Sequence, residues 1–201
     1  MSEKATLFLK KDRKLAYIIK DKGIVEIKPK KDYFNVLVVS IVYQQLSGAS
    51  ASAIYGRLKE SCNDKVTPQK IDNLPDKKMR KLGLSRQKIS YLNDLAKKFI
   101  NKEVNPRKFH SQTDQEIIEE LVKIRGIGRW TAEMFLMFSL AREDVFPADD
   151  LGIKKAIARI YGIKDLSTKK LDLFSLRWKP YRTYASLYLW KSGDTRPPKN
   201  W

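Results

Sequence analysis

The sequence is poor in the side chains that usually bind metals. Its 201 residues include one cysteine, Cys62, and one histidine, His110. A single cysteine cannot form an intrachain disulfide. These two side chains are also too few to form a structural zinc site or a four-cysteine iron–sulfur cluster. We therefore expect a protein without a cofactor, whose chemistry comes from carboxylates, hydroxyls, lysines or the backbone.

Long apolar runs are also missing. No stretch approaches the ~20 apolar residues that a helix needs to cross a bilayer. The N-terminal segment MSEKATLFLKKDRK lacks the charged-then-apolar order and the cleavage site of a secretory signal. The sequence predicts an intracellular protein without a membrane partner, in the cytoplasm of a prokaryote or the nucleus of a eukaryote.

Acidic side chains are scarce relative to basic ones. The chain has 41 Lys and Arg against 23 Asp and Glu, a formal net charge of +18. Such an imbalance indicates a polyanionic partner, and nucleic acid is the first expectation. Non-specific affinity that falls steeply with salt is expected from basic residues that include Lys10, Lys11, Lys154, Lys155, Lys179 and Arg182.

Helical patterns run through most of the chain and predict an all-α fold. The clearest are SRQKISYLNDLAKKFI, which leaves Lys88, Lys97 and Lys98 largely to solvent, and the capping box of Thr113 and Glu116. The apolar run 33–43 would suit either a buried helix or a buried strand. At most a short pair of strands is expected, in ATLFL and GIVEI within the first ~30 residues.

Residues 121–134 place Gly126 and Gly128 between two helical patterns. Glycines let the backbone amides approach a ligand closely, and the start of the following helix favours a phosphate there. The simpler alternative is a turn whose glycines only cap and pack two helices.

Asp149 and Asp150 directly precede another helical pattern, which begins near Leu151. An aspartate at this position is a preferred helix N-cap. That role is compatible with chemistry, because amide groups at a helix N-terminus stabilise an ionised carboxylate.

Five segments, taken in order, resemble the helix-hairpin-helix (HhH-GPD) DNA glycosylase superfamily. The resemblance is greatest to the 3-methyladenine DNA glycosylase II, or alkylbase DNA glycosylase, family. It rests on YQQLSGASA at 43–51, MRKLGLSRQK at 79–88, the hairpin at 121–134, VFPADDLGIKKA at 145–156 and RWKPYRTYASLYLW at 177–190. The chain resembles a minimal form without the N-terminal β-rich domain of larger bacterial relatives.

The resemblance implies a single compact catalytic unit, 1–201, with two helical lobes and an active-site cleft between them. The expected lobes are 34–134, and 1–33 with 135–201. The implied activity is that of a monofunctional DNA glycosylase of base excision repair. It would flip out alkylated purines such as 3-methyladenine and 7-methylguanine and hydrolyse the N-glycosidic bond, leaving an abasic site. Damaged double-stranded DNA is the implied partner, and a monomer without a protein partner suffices.

The resemblance also implies roles for individual residues. Asp150 would be the catalytic carboxylate, with Asp149 structural beside it. The base pocket would be lined by Trp130, Trp190, Tyr43 and Tyr188. Bifunctional members carry a lysine nucleophile at the position of Trp130, so no lyase activity is expected.

DNA contacts are implied for two loops. The hairpin would grip the backbone through Gly126, Ile127, Gly128, Arg129 and Thr131. A monovalent Na⁺ or K⁺ could be held there by the carbonyls of Val122, Ile124 and Ile127. Gln45, with Leu46, matches the loop that inserts a wedge into the duplex, although Gln44 and Gln45 could equally cap helices.

Two rival functions stay open at this level. One is a glycosylase of the same fold for uracil, hypoxanthine or 8-oxoguanine, and the other is a non-catalytic hairpin protein that binds DNA.

Overall fold

A computed structural model describes residues 2–193. Within that range the chain forms twelve α-helices and two short 3₁₀ turns, at Pro106–Lys108 and Leu176–Trp178. The helices are α1 (Ser2–Leu9), α2 (Arg13–Lys22), α3 (Tyr33–Tyr43), α4 (Gly48–Ser61), α5 (Pro68–Asp72), α6 (Asp76–Lys81), α7 (Arg86–Ile100), α8 (Asp114–Leu121), α9 (Arg129–Phe138), α10 (Leu151–Tyr161), α11 (Thr168–Ser175) and α12 (Arg182–Lys191).

Residues 2–193 contain no β-strand, so the predicted all-α fold is confirmed. The segment ATLFL belongs to α1, whose Ala5 and Leu9 lie four residues apart and are both buried. GIVEI has no regular secondary structure, and the strand pair considered for these segments is therefore absent. The run 33–43, open between helix and strand, is helix α3.

Side-chain caps explain where many helices begin. Ser47, Thr67 and Ser85 each accept a hydrogen bond from a backbone amide in the first turn of α4, α5 and α7. Thr113 and Glu116 form the predicted capping box of α8, and Glu116 accepts from the Thr113 amide at 2.7 Å. Such caps satisfy amides that lack an intrahelical acceptor.

The described residues divide into two units, and residues 30–132 form one of them. In this unit α3 packs against α4 and α7, and α5 packs against α7. The core is built from side chains that include Leu37, Ile41, Leu58, Ile71, Leu92 and Leu95, all fully buried. This unit carries the predicted hairpin and the loop between α3 and α4.

Residues 2–29 and 133–193 belong to the other unit. Its last helix, α12, packs against α1, α2 and α10. α10 follows Asp150, so this packing places the predicted catalytic carboxylate beside α12. Residues 194–201, which the predicted second lobe included, lie outside the described residues. Among residues 2–193 no helix has the length and apolar character needed to cross a membrane.

Candidate active site and DNA-binding hairpin

Asp150 is the N-cap of α10, as its sequence position predicts. Its Oδ1 accepts a hydrogen bond from the Ile153 amide at 2.8 Å and a second one from the Trp190 indole Nε1 at 2.8 Å. The residue is half-buried. Two donors from different helices therefore fix the orientation of this carboxylate, which is what a carboxylate needs in order to act on one particular atom.

The loop that leads into α10 is fastened to the start of α12. Arg182 binds Asp144 through two nitrogens, Nε to Oδ1 at 2.7 Å and a terminal nitrogen to Oδ2 at 2.9 Å. The neighbouring Thr183 hydroxyl accepts from the Val145 amide at 3.0 Å. Arg182 was expected to raise non-specific DNA affinity, but this bidentate ion pair commits it to holding the loop.

The aromatic residues of α12 are more deeply placed than predicted. Trp190 is 2 % exposed and stacks on Phe138 with ring centroids 6.3 Å apart. Tyr188 is fully buried, and its hydroxyl lies 3.1 Å from both the Thr6 hydroxyl and the Gly23 carbonyl. The pocket role predicted for Tyr188 is wrong because it is a core residue. For Trp190 the geometry favours positioning Asp150 over stacking against a base.

Trp190→Phe is expected to lower the rate of base release by about tenfold or more, because the carboxylate loses the indole donor that helps to orient it. The matched control is Trp178→Phe, which removes an equivalent indole donor to Asp12 and should leave the rate nearly unchanged. Single-turnover assays on damaged duplex would measure both rates. Equal losses in the two variants would show that the effect comes from general destabilisation.

Asp149 is exposed and has a different environment from Asp150. It forms an ion pair with Lys154 at 3.1 Å and accepts a hydrogen bond from the Thr168 hydroxyl. These contacts join the start of α10 to α11, which is the structural role predicted for Asp149. They also pair Lys154, one of the lysines expected to raise non-specific DNA affinity.

In the hairpin, Gly126 and Gly128 have different environments. Gly126 has a φ of +82°, and a Cβ there would lie 2.1 Å from the Tyr91 ring. Gly128 is exposed, has no atom within 4 Å of a Cβ position, and lacks the left-handed φ of Gly126. Gly126 is therefore required by the fold, whereas the open space at Gly128 would let a ligand approach the backbone.

The hairpin residues predicted to bind DNA do not share one environment. The Ile127 amide donates to the Ile124 carbonyl at 3.0 Å, so it serves the turn instead of a phosphate. Thr131 is 8 % exposed, and its contact with DNA stays a prediction. Gly128 and Arg129 are exposed at the start of α9 and leave that helix end accessible.

Asp94, on α7, anchors the hairpin and was not singled out from the sequence. Its carboxylate accepts from the Arg125 amide at 2.8 Å and pairs with Lys98 at 3.0 Å. Burial acts to raise the pKa of Asp94, but the Arg125 and Lys98 contacts outweigh it and hold the pKa below its usual value. Lys98, expected in solvent, is therefore part of this anchor.

The loop between α3 and α4 presents the predicted wedge residues at the surface. Gln45 is exposed with a φ of +56°, and Leu46 is 40 % exposed. The preceding Gln44 is half-buried, and its amide nitrogen donates to the Gly126 carbonyl at 2.8 Å. The loop between α3 and α4 and the hairpin are thus directly hydrogen-bonded.

Lys88 supports the same loop, although the sequence predicted that it would be solvated. Its Nζ donates to the carbonyls of Val42 at 2.6 Å and Gln44 at 2.7 Å. These are orphan carbonyls at the end of α3, and a cation there is favourable. Burial lowers the pKa of Lys88. Only the fold reveals this role, because the two partners are backbone oxygens 44 and 46 residues away.

Lys88→Met should weaken binding to damaged duplex roughly tenfold, or ~1.4 kcal/mol, because the loop between α3 and α4 loses its anchor. Lys97→Met, which removes an exposed charge from the same helix, is the control and should have a much smaller effect. Fluorescence anisotropy at a temperature where both variants are folded gives the comparison. Unchanged affinity for Lys88→Met would contradict a positioning role.

Trp130 and Tyr43, the remaining predicted pocket residues, are both half-buried. Each therefore has surface that a ligand could contact, and their pocket role stays a prediction.

The predicted cation would be bound by backbone carbonyl oxygens, and the structure shows what one of these carbonyls already contacts. The Ile124 carbonyl already accepts from Ile127, but a carbonyl has two lone pairs and could also face a cation. Over residues 2–193, no group of three or more His, Cys, Asp or Glu side chains could hold a metal ion.

Comparison with family models matches residues 38–180 to the HhH-GPD superfamily of base excision DNA repair proteins. The chain belongs to this superfamily. Among curated relatives it is 38 % identical over 168 residues to DNA-3-methyladenine glycosylase 1 of Schizosaccharomyces pombe, covering 81 % of this chain and 73 % of that protein. It is 33 % identical to a putative DNA-3-methyladenine glycosylase of Bacillus subtilis, covering 79 % of this chain and 58 % of that protein.

Solved structures of two 3-methyladenine DNA glycosylases show the same fold. A DNA-3-methyladenine glycosidase from Bacillus halodurans aligns with a TM-score of 0.85 at 36 % identity, over 92 % of this chain and 86 % of that one. The 3-methyladenine DNA glycosylase of S. pombe, solved with abasic DNA, aligns with a TM-score of 0.79 at 33 % identity, over 98 % of each chain. The family assignment and the all-helical fold predicted from the sequence are confirmed.

Proposed function

We propose that the protein is a monofunctional DNA glycosylase that releases alkylated purines, of the 3-methyladenine and 7-methylguanine type, from duplex DNA. The observation that carries the proposal is Asp150, fixed at the N-terminus of α10 by the Ile153 amide and the Trp190 indole. Relatives that are 33–38 % identical to the chain are named DNA-3-methyladenine glycosylases, which supports this substrate class.

The chemistry matches what these residues can supply. A purine alkylated at N3 or N7 is positively charged and leaves the sugar readily, so the enzyme needs no strong general acid. Positive charge then develops at C1′ of the deoxyribose, and an ionised, oriented carboxylate stabilises it. Asp150 acts in this way and orients the attacking water, and the products are the free base and an abasic site.

Access to C1′ requires that the damaged nucleotide leave the base stack. Gln45 and Leu46, which are exposed, fill the resulting gap in the duplex, while the open backbone around Gly128 holds a phosphate. Half-buried Trp130 and Tyr43 offer electron-rich faces to a cationic base. One chain carries all of these parts and acts without a protein partner.

Release of 3-methyladenine and 7-methylguanine from methylated duplex DNA tests the proposal. Chromatography of the free bases should show release by the wild-type protein and none above background by Asp150→Asn. Duplexes with uracil, hypoxanthine or 8-oxoguanine serve as the specificity panel and should react far more slowly. Faster release of one of these bases would reassign the substrate, and no release of any base would leave a DNA-binding protein.

The absence of lyase activity is a separate prediction. No amine occupies the position of Trp130, so no Schiff base forms with the sugar. Borohydride added during turnover should trap no protein on lesion DNA, whereas a bifunctional glycosylase run in parallel is trapped. A covalent protein–DNA band, or strand cleavage without added base, would overturn the monofunctional assignment.

We further propose a Na⁺ or K⁺ at the hairpin, held by the carbonyls of Val122, Ile124 and Ile127 together with a DNA phosphate. Duplex affinity measured in KCl should then exceed that in tetramethylammonium chloride of equal ionic strength. Identical affinities would exclude the cation.

A further inference from the structure

A second group of charged side chains lies around the N-terminus of α2, in the unit of residues 2–29 and 133–193. It lines a surface pocket of about 450 Å³ formed by Lys11, Asp12, Arg13, Lys14, Tyr161 and Arg177. Four of the six lining residues are cationic and one is anionic, so the pocket has a net positive charge. None of these residues has a part in the proposed base release.

Asp12 is the one anionic lining residue, and its carboxylate forms no ion pair within 4.0 Å with the four cations. Its Oδ1 accepts from the backbone amides of Lys14 at 3.0 Å and Leu15 at 3.2 Å. Its Oδ2 accepts from the Tyr161 hydroxyl at 2.9 Å and the Trp178 indole at 3.0 Å. These four donors occupy all the acceptor positions of the carboxylate. Asp12 therefore has a structural role in the pocket.

Two of the cations, Lys14 and Arg177, are positioned by a backbone carbonyl or an aromatic ring. Lys14 donates to the Ile160 carbonyl at 2.6 Å and lies 5.1 Å from the Tyr161 ring centroid. The Arg177 guanidinium lies 3.8 Å from the Phe174 ring centroid. No carboxylate of residues 2–193 lies within 4.0 Å of the charged nitrogens of Lys11, Arg13, Lys14 or Arg177, so their charge remains available to an anion.

This pocket is separate from the proposed catalytic carboxylate. Asp150 precedes the first residue of α10 and Tyr161 is its last residue. A helix rises 1.5 Å per residue, so the two ends of this 11-residue helix are about 16 Å apart. A ligand in the pocket would therefore not be the nucleotide that reacts at Asp150.

We propose that this pocket binds a phosphate group of the DNA backbone at a distance from the damaged nucleotide. Arginine guanidinium groups suit the geometry of phosphate oxygens, and lysines add charge without geometric demand. The net charge of +18 and the membership in a DNA repair superfamily favour DNA as the source of this phosphate group. The site adds to the proposed function and is independent of base release.

The test compares two double variants that remove the same charge. Lys11→Gln with Arg13→Gln changes the pocket, and Lys20→Gln with Lys164→Gln removes two exposed charges from the same unit outside the pocket. Affinity for an undamaged 30-base-pair duplex is measured by anisotropy over a range of salt concentrations. The pocket variant should bind roughly tenfold more weakly, and its salt slope should fall by about 0.9 for each phosphate that the protein no longer neutralises.

A local reporter ties the effect to the pocket. The Trp178 indole proton, bonded to Asp12, gives an NMR signal that Trp178→Phe assigns. Duplex DNA should shift this signal in the wild-type protein and in the control variant, but not in the pocket variant. If the pocket binds the flank of the duplex that is held at the proposed active site, the signal saturates at one duplex per protein. If the pocket binds a separate duplex, the signal saturates at two duplexes per protein.

Three results would overturn the proposal. They are equal loss of affinity in the two double variants, no movement of the Trp178 signal with DNA, and movement with inorganic phosphate alone but not with duplex. None depends on base release, so failure of the pocket and failure of the glycosylase assignment are distinguishable.

Discussion

Asp150→Asn is expected to reduce base release by about 10³-fold or more while leaving the fold and the DNA affinity nearly intact. Asparagine is as good an N-cap as aspartate. Its amide oxygen can still accept from the Ile153 amide and the Trp190 indole, which both bond to Oδ1 in the structure. The substitution therefore removes the negative charge and keeps these two hydrogen bonds, and the lost rate measures electrostatic stabilisation of the sugar cation.

The control for this variant is Asp149→Asn. It removes an equal charge one residue earlier, together with the ion pair to Lys154, and should change base release less than threefold. Single-turnover rates on methylated duplex and anisotropy on the same duplex separate chemistry from binding. A variant at Asp150 that keeps its rate would remove that residue from the mechanism, and full binding without any wild-type release would indicate a binding protein.

Gly126→Ala has the largest expected effect on stability. The Cβ would approach the Tyr91 ring to 2.1 Å, and the φ of +82° is strained for any residue with a side chain. Steric overlap and backbone strain each cost about 1–3 kcal/mol, and we expect a loss of about 3 kcal/mol in unfolding free energy. The melting temperature should fall by roughly 10 °C.

Gly128→Ala is the matched control, and its expected phenotype is the opposite one. No atom lies within 4 Å of the new methyl group, so unfolding free energy should change by less than ~0.5 kcal/mol. Duplex affinity should nevertheless fall roughly tenfold, because the methyl group blocks close approach of a phosphate to the backbone. Unchanged affinity in Gly128→Ala would show that this part of the hairpin does not contact DNA.

The features that the sequence predicted correctly are those that depend on residues close together in the chain. An aspartate directly before a helical pattern predicts an N-cap, and Asp150 is one. Thr113 and Glu116 predict a capping box from a three-residue spacing, which the structure contains. Short sequence separations determine both features, so no knowledge of the tertiary fold was required.

Several of the missed features depend on contacts between residues distant in sequence. The residue type of Lys88 and its position on the helical pattern predict a solvated side chain, yet it binds carbonyls at the end of α3. Tyr188 is a core residue because α12 packs against α1 and α2. Periodicity identifies the apolar face of a helix, but it does not specify which neighbouring helix or ligand covers that face.

Because α12 holds Asp150 in place, the activity depends on a part of the chain that the ribosome makes after Asp150 itself. Trp190, Arg182 and Thr183 belong to the last helix of the described chain, and together they orient the carboxylate and hold the loop before it. A nascent or truncated chain that ends before α12 lacks all three contacts, even though Asp150 and the hairpin have already been made. The carboxylate would therefore become organised only after α12 has been made, so translation products that stop before this helix would not excise bases.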